Sequence, residues 1–108
     1  MPVTLEAIKT AVAANRIKWR YHALLRFRER GVTREQAKRV MQEGQILEQH
    51  PTAKPFPKCL MMAMVEPNRP LYVSLAYDQT GDYIHVITVH WLDPIKWDDP
   101  WTRKPKTP

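Results

Sequence analysis

Trp19-Arg20-Tyr21-His22-Ala23-Leu24-Leu25-Arg26-Phe27-Arg28-Glu29-Arg30-Gly31-Val32-Thr33 is the run from which the rest of the chain can be placed. Its pattern predicts a helix that starts near Arg20 and ends at Gly31, whose missing Cβ suits a left-handed C-terminal position. His22, Arg26 and Arg30 then stand four residues apart within a fan of roughly 80°. Tyr21, Leu24 and Leu25 make the opposite, apolar face. An imidazole beside two guanidinium groups, on a helix packed by its other side, is a set of parts for gripping phosphate. A solvated, arginine-rich helix face is the competing reading of the same spacing.

Working outward, Thr4 can cap a first helix to about Ala14, with Leu5, Ile8, Val12 and Ile17 on its apolar side and Asn15 as its stop. Arg16 to Lys18 reads as a short basic link. On the other side, Thr33-Arg34-Glu35-Gln36 is a capping-box pattern. It opens a third helix to about Glu43 that turns Ala37, Val40 and Met41 inward and closes at Gly44.

From Gln45 the period changes. Ile46 to Gln49 reads as a short strand, the three prolines of 51–57 demand a loop or an edge, and Cys59 to Val65 is a buried strand. A turn over 66–70 leads to Leu71, Val73, Leu75 and Tyr77, alternating with Tyr72, Ser74, Ala76 and Asp78; 78–82 makes the next turn. In the last strand simple alternation puts Ile84, Val86, Thr88 and His90 on one face and Tyr83, His85, Ile87, Val89 and Trp91 on the other. The expected fold class is therefore α+β, with two to three N-terminal helices packed on a three- to four-stranded antiparallel sheet. One domain is expected over 1–97, followed by a proline-rich tail over 98–108 that stays poorly ordered unless Trp101 docks.

The chain has 108 residues, 44% of them hydrophobic, and a formal charge of +6. That is one folded domain with a preference for an anionic partner, nucleic acid first and an acidic protein second. Nine basic residues against two acidic ones between Arg16 and Met41 place the charge on the helical half. A single cysteine, Cys59, excludes an intrachain disulfide and a cysteine-rich zinc site. No apolar span reaches membrane length and the N-terminus lacks a secretory layout, so a cytoplasmic protein without membrane contact is expected.

His22-Ala23-x-x-Arg26-x-x-x-Arg30-Gly31-Val32-Thr33, then Cys59-Leu60-Met61-Met62, Arg69-Pro70-Leu71-Tyr72-Val73, and Val86-Ile87-Thr88-Val89-His90-Trp91-Leu92-Asp93-Pro94 with Trp97 resemble domain-of-unknown-function family 4258. The resemblance runs over roughly residues 17 to 98. That family is similar to the RelE, barnase and colicin-type ribonuclease superfamily, in which a helical layer lies on a curved antiparallel sheet. The resemblance implies a RelE-like fold and a metal-independent endoribonuclease. It implies a toxin of a type II toxin–antitoxin pair, with RNA as substrate and a zinc-finger/helix-turn-helix antitoxin as partner. Two positions depart from the pattern: Tyr72 stands where the family usually has His, and His90 where it usually has Tyr.

Such cleavage needs a base for the 2′-hydroxyl proton, an acid for the leaving oxygen, and cations for the developing phosphorane charge. Imidazole can take either proton role near neutral pH. His22 and His90 are the expected proton-transfer pair, with Arg26 on the scissile phosphate. Arg30 would support it, and Tyr72 and Thr88 would orient the nucleotide through their hydroxyls. Each residue also has a purely structural reading: an ion pair with Glu29 for Arg26, a helix-end cation for Arg30, strand propensity for Thr88, a core position for His90. No role falls to His85 or His50. Four histidines with no cysteine partner and no close two-His spacing predict no metal, and no cofactor is expected. The alternative function is a non-catalytic module of the same fold that binds nucleic acid or an antitoxin.

Overall fold

The Thr4 hydroxyl accepts the Ala7 amide proton and opens α1 (Leu5–Ala13), which buries Ile8, Ala11 and Val12. Asn15 stops it with φ 56°. A computed structural model describes residues 2–66, 69–93, 97 and 99–103. Beyond α1 come β1 (Ile17–Trp19), α2 (Tyr21–Arg30), α3 (Arg34–Glu43) and four further strands, β2 (Gln45–His50), β3 (Lys58–Glu66), β4 (Arg69–Asp78) and β5 (Tyr83–Trp91). Gly31 ends α2 in the left-handed region at φ 65°, and both hydrogen bonds of the Thr33–Gln36 capping box are made. In the last turn before β5, Asp78 Oδ1 accepts the amide protons of Thr80 and Gly81.

The α+β class holds, but the sheet is larger than expected. It has five strands in the order β1-β5-β4-β3-β2, and β1 pairs parallel to β5 while the other neighbours are antiparallel. Ile17 and Lys18 of the supposed link at 16–18 belong to that extra strand, which runs on to Trp19. Three residues are too few to show a period of two, and the partner, Ile84 to Val86, lies far downstream, so nothing local announces it. Pro67 and Asn68 of the expected turn lie outside the described residues, as do 94–96, 98 and 104–108.

One face of the sheet carries the helices and the main core: Cys59, Met61, Leu71, Val73, Leu75, Tyr77, Ile84, Val86 and Val89 pack with Ile8, Phe27, Val40 and Met41. Burial pushes the Cys59 thiol up to about 12, so it packs as a small hydrophobe. The opposite face carries a smaller cluster of Leu60, Met62, Tyr72 and Trp97. Gly44 sits where α3 meets β3. A Cβ there would run into the carbonyl oxygens of Val40 and Met62, neither of which can step aside. Gly44→Ala is therefore expected to cost about 1–3 kcal/mol, read as a lower urea midpoint; an unchanged midpoint would mean the α3–β3 junction is loose.

Two expectations about faces are corrected. On α2 the buried residues are Ala23 and Phe27, with Leu24 beside them, whereas Tyr21 is 68% exposed and Leu25 36%. The helix lies along the sheet edge against β5, where only a narrow stripe can be covered, and Phe27 packs edge-on against Trp19 at 5.5 Å. In β5 simple alternation fails at Ile87. Ser74 pairs with Thr88 but Leu75 pairs with Val86, so Ile87 is the extra residue of a bulge. Beyond it every side chain changes face: Val89 joins Ile84 and Val86 in the core, while Thr88 and His90 share the open face with His85.

Candidate functional site

The bulge assembles the site. On β4, Tyr72, Ser74 and Ala76 point away from the helices, and their partners on β5 are His90, Thr88 and His85. The C-terminal half of β5 has α2 alongside it, running in the same direction. His22, in the first turn of α2, reaches a cavity that His85 and Ile87 also line. Arg30, in the last turn, donates Nη1 to the Val89 carbonyl at 2.6 Å, and the Arg30 carbonyl accepts the Trp91 indole proton at 2.7 Å. The last turn of α2 is thus tied to the strand, and at its start the Arg20 amide donates to the Val86 carbonyl at 3.4 Å.

Two cavities lie along this line. The first, about 250 Å³, is lined by Arg20, His22, Lys54, Phe56, Lys58 and His85, with Pro55, Ala76 and Ile87. Three cations and two imidazoles converge there, and none of the described lining residues is a carboxylate. His85 is 8% exposed and lies under the Phe56 ring, with centroids 5.2 Å apart and planes 18° from parallel. Neither of its ring nitrogens has a hydrogen-bond partner. Burial lowers the pKa of this imidazole, Arg20 and Lys18 lower it further, and Asp78 opposes them. At neutral pH His85 is an uncharged base beside a cluster of cations.

That environment gives a pH signature. Because the folded chain keeps His85 neutral to lower pH than the unfolded chain does, the unfolded state takes up the proton first. Stability then falls as pH drops below the ordinary imidazole value of 6.5. His85→Leu should shrink the difference in melting temperature between about pH 7.5 and about pH 5.5; a variant with the full wild-type difference would show that His85 titrates normally.

The second cavity, about 510 Å³, is lined by Arg30, Thr88, His90, Trp91, Asp93 and Arg103. The expected site residues therefore fall into groups. His22 lines the first cavity. Arg30, Thr88 and His90 line the second, so the expected His22–His90 pair is divided between them. Arg26 lines neither, and its Nη1 meets Glu29 at 2.8 Å. With both side chains half exposed such a pair contributes only about 0.3–0.5 kcal/mol, so it is Arg26's position rather than this bond that keeps it from the cavities.

Tyr72 is fully buried. Its ring stacks on His90 (4.9 Å, 2° from parallel) and its hydroxyl donates to the Pro100 carbonyl at 2.6 Å. Burial, reinforced by Asp99, pushes its phenol up to about 12, so it holds its proton at neutral pH.

Sequence reasoning missed His85, Phe56, Lys54 and Lys58 as site residues. The one available signal was Lys54, Phe56 and Lys58 alternating with Pro55 and Pro57, where the sequence reading placed only a loop or an edge over 51–57. Among the described residues, no three His, Cys, Asp or Glu side chains are grouped to hold a metal ion, and no helix is long and apolar enough to cross a membrane.

Neither the curated proteins nor the solved structures include a match to this chain. A family model does match, described as a domain of unknown function, DUF4258, over residues 19–91, a stretch that takes in α2, the basic cavity and β5 to its last residue. The chain belongs to the DUF4258 family.

Proposed function

We propose that this chain is a metal-independent endoribonuclease whose scissile phosphate binds in the cavity between the start of α2 and the Pro55–Phe56 segment. One observation carries the reading: two imidazoles, one of them held neutral, share a cavity with Arg20, Lys54 and Lys58. The His85 ring takes the 2′-hydroxyl proton as the O2′–P bond forms. His22 acts as the acid, giving a proton to the departing O5′ as the P–O5′ bond breaks and leaving a 2′,3′-cyclic phosphate and a 5′-hydroxyl. The three cations hold the charge that grows on the non-bridging oxygens. Phe56 lies against the His85 ring, so an entering ribose has to displace it. Relative to the sequence-based expectation, His85 replaces His90 as the partner of His22.

Its deciding experiment is incubation of the purified chain with RNA in EDTA. Cleavage to cyclic-phosphate ends is expected. Intact RNA, retained by the protein at low salt and released at high salt, would instead establish a binding module that uses the same cations on phosphates without chemistry. That second reading is favoured by one fact, the covering of both His85 nitrogens. The proposal extends to a type II toxin with an antitoxin partner and an RelE-like ancestry on the strength of the sequence resemblance alone. Growth arrest on expression, relieved by the adjacent reading frame, is its test.

A further inference from the structure

The cavity at Arg30, Thr88, His90, Asp93 and Arg103 is separate from the proposed phosphate site and has a different chemistry. Asp93 sets a carboxylate in its wall. Arg103 already carries a two-point ion pair with Glu48, at 2.7 and 3.3 Å. A phosphate gains less here than among Arg20, Lys54 and Lys58. What the cavity does offer is a hydroxyl, a carboxylate and guanidinium donors around a flat imidazole. The His90 ring is braced from behind by Tyr72, which packs on Trp97 at 4.7 Å. A ring backed in this way is a platform for a nucleobase, with polar groups placed for a sugar and a base edge.

Both cavities open on the same face of the sheet, because the bulge at Ile87 brings Thr88 and His90 to the side of His85. They lie at the two ends of α2, a helix about 15 Å long. Measured along the partner strand from Ala76 to Tyr72, which the bulged β5 matches, His85 and His90 are about 13 Å apart. One nucleotide does not fill both. We infer that the substrate is a single-stranded oligonucleotide laid along β5, with a phosphate in the His22–His85 cavity and a nucleoside a few residues along the strand against His90. This rests on the proposed reading of the first cavity as the phosphate site. It adds a second binding site and a substrate longer than one nucleotide.

Calorimetric titration with uridine 3′-monophosphate and with 2′-O-methyl tetrauridylate, which cannot be cleaved, tests the inference. Joining two occupied sites through one chain should make the tetranucleotide bind roughly 10²-fold more tightly than the mononucleotide. Arg30→Ala should cut that ratio at least tenfold. Since Arg30 also anchors the end of α2 to Val89, the near-isosteric Thr88→Val serves as a second variant and should lower the ratio as well. A wild-type ratio near one, or a ratio unchanged in both variants, overturns the inference. A chain that cleaves RNA but shows no length dependence leaves the ribonuclease standing and removes the track. A chain that shows the length dependence, and loses it in the variants, without cleaving keeps the track and removes the ribonuclease.

Discussion

Alanine at position 22 lowers RNA cleavage by roughly 10²–10⁴-fold, the range for loss of a positioned general acid or base, and leaves the melting temperature where it was. The two halves of this expectation have separate causes. His22 is exposed on the first turn of α2, where Ala23 and Phe27 rather than His22 make the buried contacts. Substitutions at such positions usually change stability by no more than about 0.5 kcal/mol. The loss of activity follows from its place in the basic cavity with His85. Arg26→Ala should cost less than His22→Ala, because Arg26 faces Glu29 and lines neither cavity. Cleavage rates and melting curves on the same protein samples check both halves. Unchanged cleavage removes His22 from the mechanism, and a larger loss from Arg26→Ala moves the phosphate away from the cavity assigned to it.

The second large effect is on stability. Tyr72→Ala is expected to cost about 3–5 kcal/mol, a substantial share of the roughly 5–15 kcal/mol that holds a small domain together. Tyr72 is fully buried at the centre of the outer cluster, between His90 and Trp97, and its hydroxyl fixes the Pro100 carbonyl. Tyr72→Phe keeps the stack and loses only that hydrogen bond, so about 1 kcal/mol is expected. Urea unfolding of the two variants separates the contributions. Were Tyr72→Ala nearly neutral in stability while weakening RNA binding, the residue would be a nucleotide contact, as its hydroxyl first suggested, and not a packing residue.

The elements with local signatures were legible in the sequence. Thr33 and Gln36 announce their own capping box, Gly31 its left-handed terminus, and the alternation from Leu71 to Tyr77 its core face, because each is decided within a few residues. What could not be read depends on distant partners. β1 exists through pairing with residues more than sixty positions away, and the bulge at Ile87 is fixed by where Ser74 and Leu75 find their partners. That one inserted residue explains why the proton partner proposed for His22 differs from the one expected from sequence. Strict alternation sets His85 and His90 on opposite faces, whereas the structure puts both on the open face, with His85 in the cavity that His22 reaches. The helix faced the sheet through Ala23 and Phe27 because its neighbour is the part of β5 past Val86 that β1 leaves unpaired, a fact about tertiary position that a helical wheel does not contain. His22 was found because the cation-rich helix face is written in spacing alone; Lys54, Phe56 and Lys58 were not, because a proline-rich segment has no period to place its side chains.

The most direct measurement follows the histidine ring signals by NMR while uridine 3′-monophosphate is added. If the cavity between α2 and Phe56 holds the phosphate, the His22 and His85 signals shift together along one saturation curve, and the exposed His50 does not follow. Stationary His22 and His85 signals at saturating nucleotide, with the changes falling elsewhere, would contradict the account.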